Sequence, residues 1–509
     1  MKKRILITTP LYYASGNLHI GHLYTTNFAW VLRNLYRLFG YDAKLLSGSD
    51  EHGTKIQLKA NENNLKPKEF VDSINKKFVD LWNVFKIDID FFERTTNNDH
   101  KETVLRVFDK MLKNNDIEFK KYTSWYSTSD EEFVSLSNAV KKGDEYYHPV
   151  SNCKLILLDE KNYFFIMKKY EKWLTDFLNT PNLVYPQRVI NELKGSFLNI
   201  GLKDLSITRE NIEWGIQTLT KDKQTIYVWL DALFGYLTGL GYLKEKNDNY
   251  INYWEKAYKR IHVLGKEISR FHLIYFPIFL KSLNLPLPTN FLIHGWLLSK
   301  GMKMSKSIGN VINPCDLLDK FDIEMIKYYL VSKIDYRNDG NIDENLILET
   351  INNELINNYG NLISRTLKMI ANTFENGVKY SKIDDINYIE IENTIISLSN
   401  KIKNYLNCFE IDKIFTEIID FSSKLNVFID NTKPWTLTNE PKKLEPILNL
   451  LLNGIYAISY FLKSVMPNKI KDVEKAIGIK LTFNKILDLK KFDNIIPQKS
   501  FILWKRLTK

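Results

Sequence analysis

Apolar and polar positions change their spacing several times along the chain, and each change predicts an element. Ile5-Leu6-Ile7-Thr8 is a short apolar run that reads as a buried strand. A loop with Pro10 and Gly16 follows. Ala29, Leu32, Leu35 and Phe39 then recur at helical spacing, up to a stop at Gly40. Ala43-Lys44-Leu45-Leu46 reads as the next strand. A strand, a long helix and a strand in that order predict a parallel sheet with helices on its faces. Two more strand–helix units are expected later, with Ile226-Tyr227-Val228-Trp229-Leu230 and Ile261-His262-Val263-Leu264 as their strands. The helix after the second runs through Phe271 and Tyr275, and Phe291-Leu292-Ile293 reads as a fourth strand. Residues 116–226 have polar and aromatic residues in short alternating runs and few clear helices, which predicts an insertion into the sheet domain. From about 318 onward the pattern is helical almost throughout, as in Ile323-Glu324-Met325-Ile326-Lys327-Tyr328-Tyr329-Leu330, and predicts a helical C-terminal domain.

Composition narrows the class. The 509 residues suffice for three or four domains at about 150 residues each. With 44% hydrophobic and 26% charged residues, the chain buries real cores and is not a disordered tail. Lys and Arg number 71 against 60 Asp and Glu, a formal charge of +11. That balance favours an anionic partner, nucleic acid ahead of membrane, although a general richness in Asn, Lys and Ile supplies part of it. The three cysteines, Cys153, Cys315 and Cys408, lie far apart and form no CxxC pair. This excludes a dense disulfide framework and a four-cysteine zinc knuckle, and suits a reducing compartment. No apolar run reaches the length of a membrane span. The start, Met1-Lys2-Lys3-Arg4-Ile5, passes straight into a strand pattern and leaves no room for a signal or transit peptide, so a cytoplasmic location is expected.

Two short segments carry chemistry. In His19-Ile20-Gly21-His22, at the start of the first long helix, two imidazoles stand three residues apart on one helix face, and Gly21 allows a close backbone approach. The free N–H groups and positive dipole end of a helix start suit phosphate. The plain alternative is two ordinary polar residues at a helix start. In Lys303-Met304-Ser305-Lys306-Ser307, preceded by Gly301 and followed by Gly309-Asn310, two lysines make a basic loop. Such a loop can close over a transferring phosphoryl group and offset its developing charge, or it can be a solvated lysine-rich turn.

Together, a His-Ile-Gly-His after the first strand and a Lys-Met-Ser-Lys-Ser after the last resemble the two signatures of class I aminoacyl-tRNA synthetases. Further stretches in the right order resemble the methionyl-tRNA synthetase family: Thr8-Thr9-Pro10-Leu11-Tyr12-Tyr13; Gly48-Ser49-Asp50-Glu51-His52-Gly53; Trp125-Tyr126-Ser127; Tyr227-Val228-Trp229-Leu230-Asp231-Ala232; Gly265-Lys266-Glu267-Ile268 with Phe271-His272; and His294-Gly295-Trp296. The similarity covers nearly the whole chain and is weakest toward its C-terminal end.

The resemblance implies an α/β fold in which a Rossmann-like parallel-sheet catalytic domain (1–115 and 227–294) is split by an inserted connective domain (116–226). A linking domain (295–351) with the Lys303–Ser307 loop and an all-α anticodon-binding domain (352–509) follow. It implies that methionine attacks the α-phosphate of ATP to give methionyl-adenylate and pyrophosphate, and that the acyl group then moves to the terminal ribose of tRNA. His19, Gly21 and His22 would hold the ATP phosphates. Lys303 and above all Lys306 would stabilise the transition state, and Mg2+ would accompany ATP. Gly265, Glu267 and His294 would line the adenosine, with Glu267 standing where the family usually has Asp.

Methionine is flexible and polarizable, and its sulfur favours aromatic edges. Tyr13, Trp229, Tyr236 and His272 match the family's aromatic pocket, with Leu11 and Ala232 beside them. Asp50, expected just past the second strand, would take the ammonium. Asn361, Arg365 and Trp435 match anticodon-reading positions for tRNA(Met) with anticodon CAU, initiator and elongator alike. From their setting alone, Arg365 could equally sit in a helix salt bridge and Trp435 pack after Pro434. Cys153 is the only cysteine of the insertion, so the zinc-free form is expected, with Cys153 a spectator. No dimerising β-barrel fits after the helical region, so a monomer is expected. The closing segment, with Phe501, Leu503 and Trp504, is expected to pack back on the catalytic domain, at a place the sequence does not identify.

Overall fold

β1 (Arg4–Tyr13), β2 (Asp42–Asp50), β3 (Phe91–Arg94), β4 (Val184–Tyr185), β5 (Lys259–Gly265) and β6 (Asn290–His294) form the principal sheet of this computed structural model. Their spatial order is β3-β2-β1-β5-β6-β4. The structure describes residues 2–127, 132–134, 136, 139–149, 151–210, 212–304 and 309–507. β1 runs parallel to β5 with Ile5 beside Lys259 and Thr8 beside His262. β2 runs parallel to β3 with Leu46 beside Phe91, and β6 runs parallel to β4 with Phe291 beside Val184. Ile5, Leu6, Ile7, Leu45, Leu46, Ile261, Val263 and Leu264 are all buried, as strands covered on both faces require.

By its contacts the chain divides into two units. One comprises Met1–Lys3, His19–Ala43 and His294–Lys509, and the other Arg4–Leu18 and Lys44–Ile293. The second holds almost all of the principal sheet. It also holds an antiparallel sheet built on Ile117–Ser127 and Ile156–Phe165, paired from Ile117 opposite Phe165 to Tyr126 opposite Ile156. This sheet belongs to the 116–226 region. From within the same region, β4 joins the edge of the principal sheet.

One predicted strand is corrected. Of 226–230, only Ile226 is in a strand (Thr225–Ile226); Val228 opens the helix Val228–Thr238. Tyr227 is extended, at φ −84° and ψ 150°, and stands just outside the helix, while Asp231 favours the positive end of its first turn. A short buried apolar run has no period that separates a strand from a buried helical turn.

The first unit is mainly helical. Helix α1 (Ile20–Leu38) lies against Ile323–Ser332 and Pro441–Leu462. Asn27 donates to Lys327 O at 2.9 Å, Asn34 to Ser464 O at 2.9 Å, and Tyr460 to Leu38 O at 2.6 Å. A continuous helical run spans Glu344 to Thr373, widened between Ile351 and Gly360. The closing segment packs on this run and not on the catalytic domain as expected, with Trp504 buried beside Tyr359 and Asn352 exchanging hydrogen bonds with the Leu507 backbone. No helix among the described residues is long and apolar enough to cross a membrane.

Candidate active site

In the first unit, His19 and His22 cap α1 reciprocally. His19 is extended at φ −126°, and its Nδ1 accepts the Gly21 N–H at 3.1 Å. His22 Nδ1 accepts the His19 N–H at 3.0 Å. Each ring thereby uses Nδ1 as an acceptor, which leaves Nε2 as its donor. The ring centroids are 4.0 Å apart. A Cβ on Gly21 would lie 2.9 Å from His19 Cε1, so the glycine is what allows the ring to fold over the helix start. The Ile20 N–H is taken by Ile312 O at 3.1 Å.

His294 is buried, with Nδ1 donating to Gly295 O at 2.8 Å and Nε2 against Thr25 Oγ1 at 2.8 Å. Its ring edges are therefore engaged by protein groups. Lys303 sits on a hairpin in which Leu298 faces Lys303 and Ser299 faces Met302. Lys300 and Gly301 form the turn at φ 50° and 76°, as a tight two-residue hairpin requires. Lys303 is exposed, with Nζ 3.6 Å from the centroid of the Trp296 ring. Lys306, with Ser305 and Ser307, lies outside the described residues.

In the second unit, helix α2 (Val228–Thr238) carries Trp229, Ala232 and Tyr236 on one face. Trp229 stacks on Phe271, with centroids 3.4 Å apart and planes 13° from parallel. Tyr236 is buried and its hydroxyl meets His272 Nε2 at 2.7 Å. His272 Nδ1 donates to Ile268 O at 3.1 Å, so Nε2 is the acceptor and the Tyr236 O–H the donor. Burial pulls the His272 pKa down to about 4 and pushes that of Tyr236 far up, so both are neutral near pH 7. Leu11, on β1, is buried against Gly235; a Cβ there would fall 2.3 Å from Leu11 Cδ2. Tyr13 ends β1, and Asp50 is the last residue of β2 rather than one beyond it. Asp50 is buried, and its carbonyl accepts the Ala14 N–H at 2.8 Å. Gly265 ends β5, and the exposed Glu267 folds its carboxylate back over it. A cavity of about 190 Å³ opens beside Glu267, walled by Glu192, Phe197, Lys266, Ser269 and Arg270.

Back in the first unit, Arg365 and Trp435 come together, with the guanidinium carbon 5.9 Å from the ring centroid. Asn361 is exposed one turn earlier on the same helix. Arg365 does bridge a carboxylate, Asp430 Oδ1 at 2.8 Å. Trp435 is 49% exposed and is not packed away. Lys433, in the left-handed region at φ 45°, ends the helix Ile411–Thr432 and turns the chain to present it.

Three buried residues of the second unit escaped the sequence reading: His52, Asp231 and His100. The first two sat inside recognised stretches without a role. His100 offered no signal, because nothing local marks a histidine whose partner is 131 residues away. Cys153 lies half-buried, its thiol 3.9 Å from Ser151 O.

The sequence model of the family described as tRNA synthetases class I (M) matches residues 5–143 and 145–367. Two curated relatives are methionine–tRNA ligases. That of Mycoplasmopsis pulmonis is 46% identical over all of both chains. That of Ureaplasma parvum is 38% identical over 97% of this chain and 95% of its own. Among solved structures, Mycobacterium tuberculosis methionyl-tRNA synthetase in complex with methionyl-adenylate superposes with a TM-score of 0.90, at 27% identity over 98% of each chain. The chain therefore belongs to the class I tRNA synthetase family and, within it, to the branch of the methionine–tRNA ligases.

Proposed function

We propose that the chain is a methionine–tRNA ligase acting in two steps. A methionine carboxylate oxygen attacks the α-phosphorus of ATP, and the bond to the β,γ-phosphates breaks to release pyrophosphate. A terminal ribose hydroxyl of tRNA then attacks the carbonyl of the adenylate, loses its proton and releases AMP. One observation carries the choice of amino acid. Trp229, Ala232, Tyr236 and His272 make a neutral, largely apolar setting, and the carboxylate of Asp50 closes β2. That combination suits an uncharged, polarizable side chain borne on an ammonium.

Phosphate handling falls to the Nε2–H groups of His19 and His22 and to the helix start around Gly21. Lys303 and Lys306 offset charge that develops during the transfer. Gly265, Glu267 and His294 are assigned to the adenosine. Mg2+ would accompany ATP as part of the substrate and would offset phosphate charge. We assign no structural zinc, a monomeric state and a cytoplasmic location. Asn361, Arg365 and Trp435 read the anticodon.

The test is charging of tRNA transcripts by the purified protein. A tRNA(Met) with CAU should accept methionine, and the same transcript with an altered anticodon should be charged at least tenfold less efficiently. Equal charging of both would remove the anticodon assignment, and charging by another amino acid would remove the substrate.

A further inference from the structure

Helix α2 has two faces. Trp229, Ala232 and Tyr236 share one; Asp231 and Thr238, two turns apart, lie on the opposite side. Asp231 is fully buried and holds two histidines. Its Oδ2 accepts Nδ1–H of His52 at 2.6 Å, and its Oδ1 accepts Nε2–H of His100 at 2.6 Å. The other nitrogen of His100 meets Thr238 Oγ1 at 2.7 Å. His100 thus grips both turns of the back face. Burial works against the charge on Asp231, but His52 and the bonds from both histidines outweigh it and hold the pKa at about 2. The carboxylate is ionised, and each histidine must present an N–H to it.

His52 follows Asp50 by two residues, and their segment is fixed from its other side. Ala14 N–H holds Asp50 O at 2.8 Å, and Trp214 Nε1–H holds Glu51 O at 2.6 Å. The Glu51 carboxylate accepts Arg94 Nε–H at 2.7 Å. The bonds of Asp231 therefore join two parts of one recognition problem: the segment with the ammonium anchor and the helix with the side-chain wall. Neither step of the reaction uses His52, Asp231 or His100.

We infer that Asp231 is a positioning residue which, through His52 and His100, fixes the span between Asp50 and the Trp229–Tyr236 face of α2. An amino acid gains both anchors only if the reach from its ammonium to the end of its side chain matches that span. This rests on the assignment of the methionine pocket above.

A pair of ligands separates positioning from general damage. Methionine touches both anchors; 4-(methylthio)butanoate has the same side chain and carboxylate but no ammonium. In methionine-dependent pyrophosphate exchange, Asp231→Asn should raise the methionine KM at least tenfold. The inhibition constant of 4-(methylthio)butanoate and the ATP KM should stay within twofold, and kcat within threefold. His52→Ala should behave alike, and His52→Asn, whose Nδ2–H can stand where Nδ1–H stood, should restore most of the loss. If both ligands weaken together, or methionine binds the variants as before, the positioning role is wrong. Asp50→Asn is the control for the pocket. It must weaken methionine and spare the des-amino acid; if it does not, the pocket assignment falls and the positioning role with it.

Discussion

At the scale of single residues, the proposed roles turn on charge. A lysine that acts on developing phosphoryl charge lowers the barrier without tightening ground-state binding. Lys306→Ala should therefore cut the rate of pyrophosphate exchange by about 10²-fold or more and leave the methionine KM near its original value. A near-normal rate would return the lysine to the status of a solvated side chain. A second lysine makes a pH prediction. Lys491 is buried, donates to Asn453 and to Asp488 O at 2.9 Å, and lies 4.7 Å above the Tyr456 ring. Burial pulls its pKa down to about 7, against the opposing pull of Asp488. Between about pH 7 and 10 the unfolded chain holds a proton that the folded one has lost, so this group makes stability rise with pH across that window. Urea midpoints at pH 7 and 9 should show the rise, up to about 2 kcal/mol, and Lys491→Met should flatten it. An unchanged rise in the variant would place its origin elsewhere.

Elements decide what those residues can reach. The start of α1 is set by a cap in which two side chains and two backbone N–H groups satisfy each other, and Gly21 is the position that makes room for it. Gly21→Ala should displace the His19 ring, cost about 0.5–2 kcal/mol of local stability, and raise the KM for ATP more than that for methionine. Steady-state exchange with each substrate varied in turn checks this; equal rises would point to general loosening. Much at this scale was legible in the sequence. β1, α1, β2, β5 and β6 have strong periods or uninterrupted apolar runs, and His19–His22 sits at the start of α1. The first turn of α2 was not legible, because the short apolar run from Tyr227 to Leu230 has no period that separates a strand from a helical turn. β4 was not legible either: two residues inside a polar region carry no period, and only the neighbouring strand β6 defines them. The same holds for His100, whose partners arrive from remote segments.

For the molecule as a whole, the candidate anticodon readers and the activation signatures lie far apart in sequence, and the two kinds of chemistry should separate in assays. Trp435 is half-exposed beside Arg365, and stacking on an anticodon base contributes about 1–3 kcal/mol. Trp435→Ala should leave pyrophosphate exchange intact and weaken aminoacylation about 10- to 100-fold through tRNA binding, at one fixed salt concentration. Normal charging would mean that the ring only packs. Whether the second unit's pocket selects methionine for adenylation is read from pyrophosphate exchange with a panel of the proteinogenic amino acids. Exchange should be rapid and ATP-dependent with methionine and only trace with any other. Preferred exchange with leucine, valine or another amino acid, or none with methionine, would contradict it.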